Sequence, residues 1–116
     1  MTTLAQAIGG AAEDEAARFL SRHGLEVVAR NYRTRLGEID LVAREGGVLV
    51  FVEVRLRSSD RFADAMQSID AHKRRRIVAA ARHFLAGVRP QPPCRFDVVA
   101  LDEGAPRWER AAFDVS

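Results

Sequence analysis

Apolar positions recur at helical spacing near the start of the chain. Ala12, Ala16, Phe19 and Leu20 share a stripe and Gly24 is a suitable stop, which predicts a helix from about Leu4 to His23. Leu25 to Tyr32 reads as a short strand and Arg33 to Gly37 as a polar turn. Glu38 to Glu45 and Val48 to Leu56 are two extended runs joined at Gly46-Gly47, a strong hairpin signal. Arg57 to Gln67 has no clear period and reads as a loop or as a poorly formed start to the next helix. Ser68 to Ala86 carries Ile69, Ile77, Ala81, Phe84 and Leu85 as an apolar stripe, with Ser68 or Asp70 available as N-cap. Gly87 and then Pro90, Pro92 and Pro93 prevent the helix from continuing. Arg95 to Leu101 is a further strand, and Arg107 to Phe113 a last edge strand. The order α-β-β-β-α-β-(β) predicts an α/β protein, a central mixed sheet flanked by helices, as a single domain over residues 1–116.

The alternation inside the hairpin is where chemistry enters. Leu49, Phe51, Glu53 and Arg55 share one face, and Val50, Val52, Val54 and Leu56 the other. A glutamate following two large apolar residues mid-strand is disfavoured unless something uses it. On the preceding strand Glu38, Asp40 and Val42 share a face, with Ile39, Leu41 and Ala43 behind them. Glu38, Asp40 and Glu53 are therefore expected close together, with Arg55 beside Glu53. Three such carboxylates repel one another unless a cation sits among them. An oxygen-only donor set suits a hard ion, Mg²⁺ or Mn²⁺. The plainer alternative is a solvent-facing sheet with one Glu–Arg pair worth under about 1 kcal/mol. Glu13, on the inner side of the first helix, and Lys73, four residues before Ile77, could frame the cluster or simply be boundary residues whose charges reach water.

Composition narrows the picture. The 116 residues are 47% hydrophobic and 29% charged, with a net charge of +2, which argues against disorder. No apolar run approaches the ~20 residues of a membrane span and no secretory signal is visible, so a cytoplasmic location without membrane contact is expected. Cys94 stands alone, which excludes an internal disulfide and a cysteine-based zinc site. The sum of charges conceals an asymmetry. Between Asp70 and Asp97 the chain carries Lys73, Arg74, Arg75, Arg76, Arg82, Arg89 and Arg95 and no acid. Such a stretch suits a polyanion or, more blandly, a solvated helix face. His23, His72 and His83 are dispersed and read as surface or boundary residues, Cys94 as a packing residue, and Trp108 as sheet-edge packing with base stacking as the lesser option.

Several motifs carry a family resemblance. Glu13 with Ala16, Ala17, Phe19 and Leu20, then Arg30-Asn31-Tyr32-Arg33, Gly37-Glu38-Ile39-Asp40-Leu41 and Phe51-Val52-Glu53-Val54-Arg55 resemble the bacterial YraN family, as do Lys73 and Arg95-Phe96-Asp97-Val98-Val99. That resemblance implies a PD-(D/E)xK nuclease fold, similar to archaeal Holliday-junction resolvases. It implies Asp40 and Glu53 as metal ligands, the Val54 backbone carbonyl as a further one, Glu13 as the helix acid completing the site, and Glu38 as an extra acid. Arg55 stands where the motif has Lys. An arginine effectively never gives up its proton, so it cannot act as a general base. Lys73 is the candidate replacement.

The implied activity is Mg²⁺- or Mn²⁺-dependent hydrolysis of DNA phosphodiester bonds, branched DNA included, with Glu13, Glu38, Asp40, Glu53, Arg55 and Lys73 at the site. Lys73, Arg74, Arg75 and Arg76 at the helix start, with Arg57, Arg61 and Phe62 in the preceding loop, are the expected nucleic-acid contacts. The rival is a nucleic-acid-binding protein that keeps the fold without turnover, and a third reading is a structural partner of another protein. A homodimer follows only by analogy with resolvases acting on four-way junctions.

Overall fold

The computed structural model describes residues 4–56, 66–101 and 105–114. They form α1 (Leu4–Arg22), β1 (Glu26–Arg33), β2 (Glu38–Glu45), β3 (Val48–Leu56), α2 (Ala71–Ala86), β4 (Cys94–Leu101) and β5 (Arg107–Phe113). The sheet order is β1-β2-β3-β4-β5. β3 and β4 run parallel and the other neighbours antiparallel, so α2 is the crossover that a parallel pair requires. The chain is thus a mixed α/β structure with a five-stranded mixed sheet and two helices.

Each helix covers one face. α2 supplies Ile77, Val78, Ala80, Ala81 and Leu85 to a core with Val42, Leu49, Phe51, Phe96 and Val98. α1 supplies Ala12, Ala16, Ala17 and Leu20 to a second core with Leu41, Val50, Val52 and Val99. The small residues of α1 let it lie close to the sheet, and Phe51 alternates to the opposite face from Val50 and Val52 as a two-residue period demands.

Boundaries fall where the pattern places them to within one residue, except at the start of α2. That helix begins at Ala71, not Ser68, because Asp70 is the N-cap and its carboxylate accepts from the Lys73 N–H. Ile69 precedes the helix yet is buried in the α2-side core. Gly46 turns the hairpin with φ 59° and Gly24 ends α1 with φ 91°, both left-handed conformations that glycine adopts cheaply. The expected alternation fails at Ile39, which packs with Val42 on the α2 side instead of behind the sheet with Leu41. The β2–β3 ladder stops at Leu41↔Val52, whereas β1 stays paired with β2 through Tyr32↔Ile39 and Arg33↔Glu38, with Asn31 at φ 51° interrupting the regular pleat between them and Leu41. Among the described residues no helix is long and apolar enough to cross a membrane.

Candidate active site

The site lies where the ladder stops. Beyond Leu41↔Val52 the Val54 N–H donates to Asp40 Oδ2 at 2.8 Å, so a carboxylate occupies the place of a backbone acceptor. This substitution aims Asp40 across the gap between β2 and β3, next to Glu53. Burial raises the pKa of Asp40 against the opposing effects of the Val54 N–H and of Lys73.

Glu53 is 5% exposed. Burial first, and then the charge of Asp40, push its pKa up to about 7, opposed by Lys73 and Arg55. Lys73 Nζ stands 3.1 Å from Glu53 Oε1, and Arg55 Nη1 stands 3.4 Å from the same oxygen. A lysine from α2 therefore reaches the acid of β3. Arg55 is held chiefly elsewhere: its Nε and Nη2 donate to Ser68 Oγ at 2.9 and 2.7 Å. Its guanidinium is thereby fixed by the segment that leads into α2.

The remaining expected residues divide. Glu13 is half-buried on α1 and has a pKa raised first by burial; it accepts from Asn31 and feels the charge of Asp40, which puts it at the edge of the same pocket. Glu38 is exposed against Arg33 at 3.7 Å and reaches Asp40 only through its field. Among the described residues two carboxylates meet, not three, and no group of three or more His, Cys, Asp or Glu forms a metal-binding cluster. Arg74 turns away from the pocket, donating to the Ile69 carbonyl and lying over the Phe113 ring. Arg75 and Arg76 are exposed on the outer side of α2. Arg57, Arg61 and Phe62 lie outside the described residues.

The profile of the uncharacterised protein family UPF0102 matches residues 12–101. A UPF0102 protein of Cupriavidus pinatubonensis is 54% identical over 95% of this chain and 87% of its own length. One from Nitrosospira multiformis is 51% identical over 93% of both chains, and one from Dechloromonas aromatica 56% over 90% and 87%. The chain belongs to the UPF0102 (YraN) family. The UPF0102 match spans Glu13, Asp40, Glu53, Arg55 and Lys73, so all five lie in the part shared with the family.

Two residues that build the pocket were not singled out from the pattern. Asn31 takes φ 51° inside β1 and supports Glu13. An Asn within a strand pattern was the available signal, because Asn tolerates the left-handed region. Ser68, read as a helix cap, is instead the anchor of Arg55.

Proposed function

We propose that this chain is a divalent-metal-dependent phosphodiesterase of the PD-(D/E)xK endonuclease type acting on DNA, with Asp40 and Glu53 as ligands. The observation that carries the reading is the Asp40–Glu53 pair, a half-buried and a buried carboxyl on neighbouring strands, both with raised pKa, with Asp40 tied to the Val54 N–H and Glu53 facing Lys73. A site that retains a proton near neutral pH lacks a positive charge that a hard cation can supply. The donor set fits Mg²⁺ or Mn²⁺, which needs only one or two carboxylates beside water and phosphate oxygens. An extended residue points its N–H and C=O to the same neighbour, so the Val54 carbonyl faces the edge where its N–H meets Asp40 and can serve as a third protein donor. Bound there, the ion would acidify its water and neutralise charge on a phosphate oxygen.

The chain's own residues supply the rest. Lys73, with its side chain 36% exposed, sits between Glu53 and solvent, where its ammonium can meet a phosphate oxygen while favouring the ionised form of Glu53 against its burial. Arg55 donates hydrogen bonds and holds charge, with no proton to accept. Glu13 and Glu38 act from the rim, adding negative field that strengthens cation binding at Asp40.

The second reading, nucleic-acid binding without turnover, has its own observation: the guanidinium at the motif's Lys position is tied to Ser68. Incubating the purified protein with linear, flap and junction DNA in Mn²⁺ separates the two. Cleavage that falls on the order of a hundredfold or more in Asp40→Ala supports the nuclease. Cleavage indifferent to Asp40→Ala sinks it, and salt-sensitive binding without cleavage in any metal selects the second reading.

A further inference from the structure

The run Lys73-Arg74-Arg75-Arg76 reads as one basic patch in sequence, but the helix divides it. Lys73 faces Glu53 and Arg74 faces Phe113, while Arg75 and Arg76 are exposed. They are joined two turns later by exposed Arg82 and His83. These four stand at −4, −3, +3 and +4 from Ala79, the four surface neighbours that helical geometry gives any residue. Ala79 is thus a methyl-sized saddle inside a ring of three arginines and a histidine. Among the described residues none of the three arginines pairs with a carboxylate.

Two grooves meet at that saddle. One, of about 830 Å³, runs between α2 and the β1–β2 turn and is lined by Arg33, Arg35, Leu36 and His83 with no acid. The other, of about 720 Å³, runs between α2 and β5, with Asp114 as its one acid. Ala79 lines both. The turn walling the first groove is fixed, since Thr34 Oγ1 accepts from the Leu36 and Gly37 N–H groups. Gly37 lies so close to α2 that a Cβ there would stand 1.8 Å from the Arg76 carbonyl oxygen. A docked turn that leaves Leu36 70% exposed beside arginines offers an apolar contact within a cationic groove, as sugar-phosphate chains with their bases require.

We propose that the outer face of α2 is a nucleic-acid docking surface, on which a phosphate backbone crosses Ala79 from one groove into the other. The proposal rests on the nucleic-acid part of the reading above, and not on its metal chemistry. Charge complementarity decides the occupant: three unpaired arginines around a small saddle fit a continuous polyanion. The test is binding of a fluorescein-labelled DNA duplex and single strand by anisotropy, in EDTA, across a salt series. Ala79→Glu is expected to weaken binding tenfold or more, and Ala79→Gln less than threefold. Arg82→Glu, at an exposed position, provides a second variant should Ala79→Glu fail to fold, and is expected to reduce the salt slope as well. Wild-type protein that binds neither DNA, or binding by both acidic variants within twofold of wild type at every salt, overturns the proposal. So does a change in sedimentation with Ala79→Glu at unchanged DNA affinity, which would make this face an interface between copies. Loss of cleavage with retained, Ala79-sensitive binding would remove the nuclease reading and leave the docking surface standing. Cleavage and binding both unaffected by Ala79→Glu and Arg82→Glu would do the reverse.

Discussion

Among the described residues two carboxylates lose almost all contact with solvent, Asp97 at 0% and Glu53 at 5%, and their surroundings treat them in opposite ways. Asp97 is surrounded by donors. Arg95 Nε reaches its two oxygens at 3.0 and 3.2 Å, Trp108 Nε1 donates at 2.9 Å, and so does the Ala111 N–H. That last bond closes an irregularity in β5 where Ala111 takes φ 51°, so the acid holds an edge strand in a shape that alanine alone resists. Arg95 continues to Glu45, whose pKa the Arg95 hydrogen bond holds below the ordinary range. Glu53 has cations on one oxygen, a second acid against it, and a raised pKa. Burial of a carboxylate does not identify a site. A second acid against it and a raised pKa are what make Glu53, and not Asp97, the candidate.

Replacing Asp97 should have the largest effect. Asp97→Ala leaves the Arg95 guanidinium, the Trp108 indole and the Ala111 N–H short of an acceptor, and a buried pair broken on one side costs about 3–5 kcal/mol. Urea or thermal denaturation should show a loss of that size, with Mn²⁺ affinity preserved in whatever protein remains folded. A loss under about 1 kcal/mol would mean that the donors find other acceptors and that the contrast with Glu53 is smaller than the geometry indicates.

Glu53→Gln should act in the other direction, and only at higher pH. A carboxyl whose folded pKa is about 7 against an ordinary 4.5 keeps its proton in the folded state after the unfolded chain has released it. Its contribution is therefore complete below about pH 4.5 and is lost as pH rises through 7. At pH 8 the variant should be more stable than wild type by about 1–3 kcal/mol, and near pH 4 the difference should vanish. Thermal melts at the two pH values check this. In calorimetry Mn²⁺ should bind wild type more tightly as pH rises and should bind the variant weakly. A variant less stable than wild type at pH 8 would show that Lys73 and Arg55 outweigh the burial of Glu53.

The same contrast explains what the sequence made legible. Glu53 stands out because a charge set between Leu49-Val50-Phe51-Val52 and Val54 breaks the rule for a buried strand, and Gly46-Gly47 marks the hairpin that brings it beside Asp40. Asp97 does not stand out. In Arg95-Phe96-Asp97-Val98 it alternates as a solvent-facing residue would, and its donors come from β5, which no local pattern places against it. The face of Ile39 departs from the pattern because period two needs regular strand on both sides, and here the β2–β3 ladder ends at Leu41 while Asn31 on β1 takes φ 51°. Splitting of the basic run between pocket, ring and surface depends on where α2 begins, and Asp70 rather than Ser68 decides that.

Ser68 gives the smallest and most discriminating test of the comparison. Arg95 is locked by two carboxylates, whereas Arg55 is held mostly by the hydroxyl of Ser68, with Glu53 Oε1 a longer contact at 3.4 Å. Ser68→Ala removes the one oxygen that accepts from Arg55 at 2.7 and 2.9 Å and should cost about 1 kcal/mol, a typical net contribution for hydrogen bonding. The freed guanidinium would then turn toward Glu53 and lower its pKa, because an added cation favours the ionised acid. Titration of the Glu53 side-chain carboxyl by NMR should therefore show its midpoint falling below about 7 in Ser68→Ala, beside that loss of about 1 kcal/mol. If the midpoint stays in place while stability falls, Ser68 serves only to anchor the segment before α2, and the raised pKa of Glu53 is independent of where Arg55 is held.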